Sequence, residues 1–196
     1  MGIENIHCEN SSDIRLWDNY QASLLGDLKG QVFHLTSQRT LDFIKNSGAI
    51  EHNKDGRFKL NTASEKSFGR LNGWVCFFDL RNASSELIPD ILDRYDFLRP
   101  PGDLGRNSYE DRKEYELAYL VLDSKFHKHL ILYEKFDEHV KNTGQYPMAV
   151  PEVETWVADR VPITWIEKII LANFGGPMTA NEIQLNQIHN ELFWTS

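Results

Sequence analysis

The segment 73–80 constrains the fold most, because it is apolar almost throughout. Its central residues, Trp-Val-Cys-Phe-Phe, leave no polar face for water, so they predict a buried strand at the centre of a sheet. The apolar segments 117–122 and 166–172 predict two more strands. Strands outnumber helices along the chain and their spacing is irregular. This pattern favours an α+β fold over a doubly wound α/β fold.

Another predicted strand carries two acidic residues. Glu152 and Glu154 lie two residues apart, so the two-residue repeat of a strand places both on one face. Val153, Thr155 and Val157 take the other face. Carboxylates paired on a strand are costly unless they line water, a ligand or a cation. The pair therefore predicts a functional site.

Composition limits the class of protein. With 196 residues, 41% of them hydrophobic, the chain is long enough for one domain with a conventional core. The net charge of −8 argues against binding DNA or RNA mainly through the phosphate backbone, although a nucleic-acid substrate could still fit a small groove. The N-terminus lacks a signal-peptide pattern, so we expect a cytoplasmic protein.

The predicted elements form a single domain over 1–196, with a catalytic-like core at about 31–172. An N-terminal helix over 11–29, capped by Ser11 or Ser12, and a C-terminal helix over 179–193 are expected to pack on this core.

Local signals predict the connections within the core. A short helix is predicted to end at Gly48, and a strand is predicted over 129–133. The polar segment 51–70 is expected to be mostly loop.

His34 is a second candidate site residue. In the predicted strand Phe33-His-Leu-Thr36, alternation places His34 and Thr36 on one face. A histidine and a hydroxyl two residues apart could hold a ribose or an amide through hydrogen bonds. The alternative is a histidine at a strand end whose hydrogen bonds are satisfied within the protein.

Three segments, taken in order, resemble the ADP-ribosyltransferase fold and look most like its DarT-type branch. A strand with His-x-Thr precedes a short helix ending in a Gly-hydrophobic turn (32–50). An apolar strand ends at an arginine (74–81), and an acid-bearing strand leads to a Val-Pro turn and an Ile-rich strand (153–169). The resemblance implies a split mixed or antiparallel β-sheet with flanking helices.

The resemblance also implies roles for individual residues. His34 would bind the NAD ribose and Thr36 would support the same pocket, while Glu154 would be the catalytic acid with Glu152 beside it. Either Arg70 or Arg57 would meet the NAD diphosphate, since a guanidinium can bind phosphate with two hydrogen bonds. NAD would be the co-substrate, and ADP-ribose would pass to a nucleic acid or a protein. A toxin with an antitoxin or immunity partner fits this branch.

Two other functions compete with ADP-ribosyl transfer. A catalytically silent protein on the same scaffold would bind NAD or a partner, and a metal-dependent nuclease could use Glu152 and Glu154. His127 and His129 have strand spacing, but no further ligands follow at a recognisable metal-site spacing. We therefore expect no metal site there.

Overall fold

The computed structural model describes residues 2–9, 26–57, 66–84, 87, 91 and 117–175. It contains a seven-stranded sheet, a two-stranded sheet and three α-helices whose full extent lies within these residues. The elements in chain order are β1 (Gly2–Glu9), β2 (Val32–Ser37), α1 (Gln38–Ser47), β3 (Ala49–Ile50), α2 (Phe68–Asn72), β4 (Trp74–Asp79), β5 (Leu117–Leu122), a 3₁₀-helix (Ser124–His129), β6 (Leu130–Ile131), α3 (Glu134–Thr143), β7 (Glu154–Ala158), β8 (Val161–Pro162), a second 3₁₀-helix (Ile163–Trp165) and β9 (Ile166–Gly175).

The large sheet has the strand order β1-β9-β5-β2-β4-β7-β6. All of its neighbouring strands are antiparallel except β1 and β9, which are parallel. Strands β3 and β8 form the separate antiparallel pair. The predicted α+β class is therefore confirmed, with a mostly antiparallel sheet and few helices. No helix among the residues described here is long and apolar enough to span a membrane.

Helix α1 has the boundaries that its sequence predicts. The Ser37 hydroxyl accepts a hydrogen bond of 3.2 Å from the Thr40 N–H at the start of the helix. Gly48 follows the last turn with a φ of 73°, a left-handed conformation that favours glycine. Leu41 and Ile44 are buried, which anchors the helix on one face of the sheet.

Each face of the large sheet carries its own apolar cluster. On the first face, Phe33 pairs with Phe78 and packs beside Tyr119. On the second face, Phe77 and Leu120 pack together with helix α1. Side chains of successive strand residues point to opposite faces, so the register of β2, β4 and β7 decides which site residues can meet.

The first face extends into an aromatic cluster between α2, α3 and β7. The Phe68 ring lies edge-on to three other rings, at centroid distances of 5.0 Å from Trp156, 5.4 Å from Phe136 and 5.6 Å from Trp74. Gly69 lets α2 approach this closely, because a Cβ there would lie 2.6 Å from Trp156 Cδ1. The cluster fixes α2 and α3 on the sheet.

Several predicted elements differ from the structure. The strand predicted over 129–133 is present but shorter, at Leu130–Ile131, because the 3₁₀-helix Ser124–His129 includes its predicted first residue. The loop predicted over 51–70 was incomplete, because α2 begins at Phe68.

The predicted terminal helices fall largely outside the described residues. Of the helix predicted over 11–29, only residues 26–28 are described, and they are helical. The helix over 179–193 lies entirely outside them. The sheet also extends beyond the predicted core of 31–172, because β1 pairs with β9 as far as Gly175.

Candidate functional site

His34 and Thr36 lie on the same face of the sheet, as predicted. In the register of β2 and β5, His34 is opposite Leu120 and Thr36 is opposite Ala118, and both partners belong to the cluster of the second face. The His34 ring also packs against Phe77, with a centroid distance of 5.7 Å. Both site side chains remain partly exposed.

The hydrogen bond of His34 defines its chemical state. Nδ1 lies 2.8 Å from the carbonyl oxygen of Cys76. A carbonyl oxygen only accepts, so Nδ1 carries the proton and donates. Burial lowers the pKa of the ring, and the bond to Cys76 opposes that shift only partly. His34 is therefore a neutral imidazole at pH 7, with Nε2 as an acceptor.

Glu154 is enclosed by protein donors. Its side chain is buried, with the residue only 5% exposed. Oε2 accepts a hydrogen bond of 2.6 Å from the Val150 N–H, and Oε1 accepts one of 2.9 Å from Trp156 Nε1–H. Burial raises the pKa of the carboxyl group, while its hydrogen-bond donors act in the opposite direction. Each oxygen thus already has a protein partner.

The thiol of Cys76 lies beside this carboxyl group. Burial raises the pKa of Cys76 well above its ordinary value, and the charge and hydrogen bonding of Glu154 raise it further. A thiol held protonated in this way is a hydrogen-bond donor and a poor nucleophile. The thiol also donates to the Phe77 carbonyl at 3.8 Å, so Cys76 is not a candidate for covalent chemistry.

The structure places His34 and Glu154 on opposite faces of the sheet. Phe33 pairs with Phe78, and Phe78 pairs with Glu154, so these three side chains share the first face. His34 follows Phe33 in the strand and lies on the second face with Phe77. The two residues that the resemblance assigned to one NAD ribose are therefore separated by the sheet.

The predicted pairing of Glu152 with Glu154 on one strand face is wrong. Strand β7 begins at Glu154, and Glu152 lies in the turn before it, where it is exposed. Its φ is 65°, in the left-handed region that glycine favours. Two hydrogen bonds between Val150 and Glu154 close this turn. The Val150 N–H donates to Glu154 Oε2, and the Glu154 N–H donates to the Val150 carbonyl at 3.1 Å. A tight turn, which strand periodicity does not anticipate, thus separates the two acids.

Arg70 and Arg57 come together at one loop. Arg70 lies in α2, and its Nη2 is 3.1 Å from the position that a Cβ on Gly56 would occupy. Arg57 is the next residue along that loop and is exposed. Helix α2 packs on Trp156, so Arg70 belongs to the side of the sheet that holds Glu154 and not to the side that holds His34.

One polar network was not anticipated from the sequence. Arg81 donates to both carboxylate oxygens of Asp79, at 2.9 and 2.5 Å, and its Nη1 lies 3.1 Å from His127 Nδ1. Burial acts to raise the pKa of Asp79, but the hydrogen bonds and charge of Arg81 outweigh it and lower that pKa. The Asp-x-Arg spacing at the end of β4 was a usable signal for this pair.

The structure also exposes apolar side chains that the sequence had not singled out. Leu71, Tyr146 and Met148 are exposed by 52%, 80% and 54%, respectively. Tyr146 and Met148 flank a proline in the connection between α3 and β7. Large apolar side chains in such a connection were the signal that the sequence offered.

The two histidines of the 3₁₀-helix have different surroundings. His127 contacts Arg81, while the His129 ring stacks on Trp165 with a centroid distance of 4.7 Å. Within the part of the chain that the structure describes, no three His, Cys, Asp or Glu side chains are grouped so as to hold a metal ion.

Comparison with known proteins gives no relative: no protein-family model, no curated protein and no solved structure matches this chain. Function therefore has to be inferred from the residues themselves.

Proposed function

We propose that this chain acts by binding a macromolecular partner and does not catalyse ADP-ribosyl transfer. The enclosure of Glu154 supports the second part of this proposal. Its two carboxylate oxygens accept hydrogen bonds from Val150 and Trp156, and the side chain is buried. The first part is supported by exposed apolar side chains, those of Leu71, Tyr146 and Met148.

A catalytic carboxylate needs access to its substrate. In cleavage of the bond between nicotinamide and ribose, the acid has to hold the sugar and face the positive charge that develops on it. The buried Glu154 could reach a sugar only if the turn before β7 opened, and leaving the freed Val150 N–H buried without a partner would cost about 1–3 kcal/mol. Its hydrogen bonds instead close the turn before β7. This is a structural role.

The test is an assay for NAD chemistry on the folded protein. We expect no transfer of label from radiolabelled NAD to protein or nucleic acid in a cell extract, no release of nicotinamide, and no heat of NAD binding by calorimetry. Transfer of label by the wild-type chain that is lost in Glu154→Gln, with the variant shown to be folded by circular dichroism, would overturn the proposal. Phe43→Ala, at an exposed site on α1, is the matched control and should behave as wild type.

NAD-dependent ADP-ribosyl transfer, on an ADP-ribosyltransferase-like sheet, is the second candidate. The observation that favours it is the His34–Thr36 pair, whose side chains share one partly exposed face. This candidate requires His34 to contribute to NAD binding, so His34→Ala should weaken binding in the same calorimetric assay while Phe43→Ala, at an exposed site on α1, should not.

The metal-dependent nuclease loses its support, because it depended on Glu152 and Glu154 sharing a strand face. Glu152 lies in the turn instead.

A further inference from the structure

Three exposed apolar side chains, Leu71, Tyr146 and Met148, lie on two segments whose backbones are hydrogen-bonded to each other, and we call these three residues the apolar strip. The segment 146–148 reaches α2 through a parallel bridge between Met148 and Ser67. Met148 donates its N–H to the Lys66 carbonyl at 3.0 Å and accepts from the Phe68 N–H at 2.9 Å. Leu71 lies one helical turn beyond Ser67, to which its own N–H is bonded at 3.0 Å.

The apolar strip has a rigid base. Phe68 donates its N–H to the Met148 carbonyl, and its ring is buried among Trp74, Phe136 and Trp156. Backbone hydrogen bonds fix the two segments that carry the strip to each other. A preorganised surface loses little conformational entropy on binding, which favours affinity. Exposed tyrosine and methionine on such a base are typical of interaction surfaces.

The segments that carry the apolar strip are locally basic, although Glu138 and Glu152 border the second of them. The chain has 29 acidic and 21 basic residues. The two segments that form and flank the strip, 66–73 and 139–151, contain no Asp or Glu but include Lys66, Arg70 and Lys141. In the described part of the chain, no ion pair engages the Arg70 guanidinium, which lies against Gly56.

We infer that the apolar strip is the docking surface for a short acidic peptide segment with large apolar side chains. This inference rests on the proposed partner-binding function and names its partner class. The apolar side chains of the peptide would cover Leu71, Tyr146 and Met148, and its carboxylates would pair with Lys66 and Arg70, the latter in a two-bond geometry.

A nucleic acid fits this surface less well. Two of the three strip residues are aliphatic and cannot stack on bases as aromatic side chains do. The net charge of −8 also repels an extended polyanion, whereas a short peptide meets only the local positive charge.

The test is selection of peptides from a random phage-displayed library on the immobilised full chain. We expect the enriched peptides to carry Asp or Glu next to Leu, Phe or Trp. Synthetic copies of them should bind with an affinity that falls by about tenfold or more in Met148→Ser and in Lys66→Glu. Higher salt should weaken binding.

Matched controls replace one exposed apolar residue and one exposed lysine outside the apolar strip. Phe43 and Lys135 are exposed on α1 and α3, so Phe43→Ser and Lys135→Glu should leave the affinity unchanged. Urea unfolding of every variant separates loss of binding from loss of folding, and Arg70→Gln provides a second charge variant if Lys66→Glu is unstable.

The inference is overturned if selection yields no binders or only basic or neutral peptides. It is equally overturned if binding survives the strip variants, or if a single-stranded oligonucleotide binds more tightly than the selected peptides. Measuring NAD hydrolysis on the same preparations separates the two proposals. Hydrolysis would refute the proposed function, whereas failed selection without hydrolysis refutes only the docking surface.

Discussion

Trp156 donates its indole N–H to Glu154 across 2.9 Å, and both residues belong to the same strand, two positions apart. This bond joins the turn at the start of β7 to the aromatic cluster beneath α2. Through it, a buried carboxylate links the backbone at Val150 to the ring that supports the apolar strip.

Replacement of Glu154 by Gln should destabilise the fold. An amide has one acceptor oxygen, so its NH₂ group would face either the Val150 N–H or the Trp156 N–H, and a buried donor would lose its partner. We expect a loss of about 1–3 kcal/mol in the free energy of unfolding, measured by urea denaturation. Glu152→Gln is the control, and as an exposed substitution it should stay within about 0.5 kcal/mol of wild type. Equal stability of the two variants would contradict this account of Glu154.

The stability difference between wild type and Glu154→Gln should depend on pH. Burial raises the pKa of Glu154 in the folded protein above its unfolded value, so the folded state holds its proton to higher pH. Glu154 therefore contributes most to stability below its unfolded pKa, and that contribution declines as pH rises through the folded pKa. Urea unfolding should be measured at pH values from neutral down to the ordinary glutamate pKa. Over this range the free energy of unfolding of wild type should rise relative to that of Glu154→Gln. A difference that stays constant over this window would show that the pKa is not raised.

Glycine at position 152 should stabilise the turn before β7. A side chain in the left-handed region costs about 1–2 kcal/mol, and glycine removes that cost while adding about 0.5–1 kcal/mol of backbone entropy loss. We therefore expect Glu152→Gly to raise the free energy of unfolding by about 0.5–1 kcal/mol, measured by thermal or urea unfolding. Glu152→Ala keeps the backbone strain, so its free energy of unfolding should equal that of wild type. If both variants behave alike, the left-handed conformation is not the cause.

A methyl group at position 69 should disturb the aromatic cluster. The Cβ of Gly69→Ala would lie 2.6 Å from Trp156 Cδ1, which forces α2 away from the sheet. We expect a loss of about 1–3 kcal/mol, together with a change in tryptophan fluorescence. Gly26→Ala is the matched control, because no atom lies within 4 Å of a Cβ at that position. A tolerated Gly69→Ala would mean that the cluster is loosely packed.

Strand periodicity and capping signals predicted much of the fold. The apolar segment before Leu80 became β4, and Gly48 ended α1 in the left-handed conformation, because both depend on local sequence. The shared face of His34 and Thr36 was predicted for the same reason.

The prediction failed where the structure depends on contacts that strand periodicity does not encode. The pairing of Glu152 with Glu154 assumed that the strand began earlier, whereas a bond to Val150 closes a turn there. No local pattern shows that Glu154 and His34 occupy opposite faces, because that follows from the register of β2 and β7 on β4.

The parallel pairing of β1 with β9 has a consequence for folding during synthesis. Gly2 lies opposite Lys168, and Glu9 lies opposite Gly175. Strand β1 thus has to wait until β9 has been made before it can join this ladder. Closing so long a loop costs conformational entropy and slows folding. We therefore expect nascent chains that stop before Lys168 to lack this edge of the sheet, however much of β2, β4 and β7 has already formed.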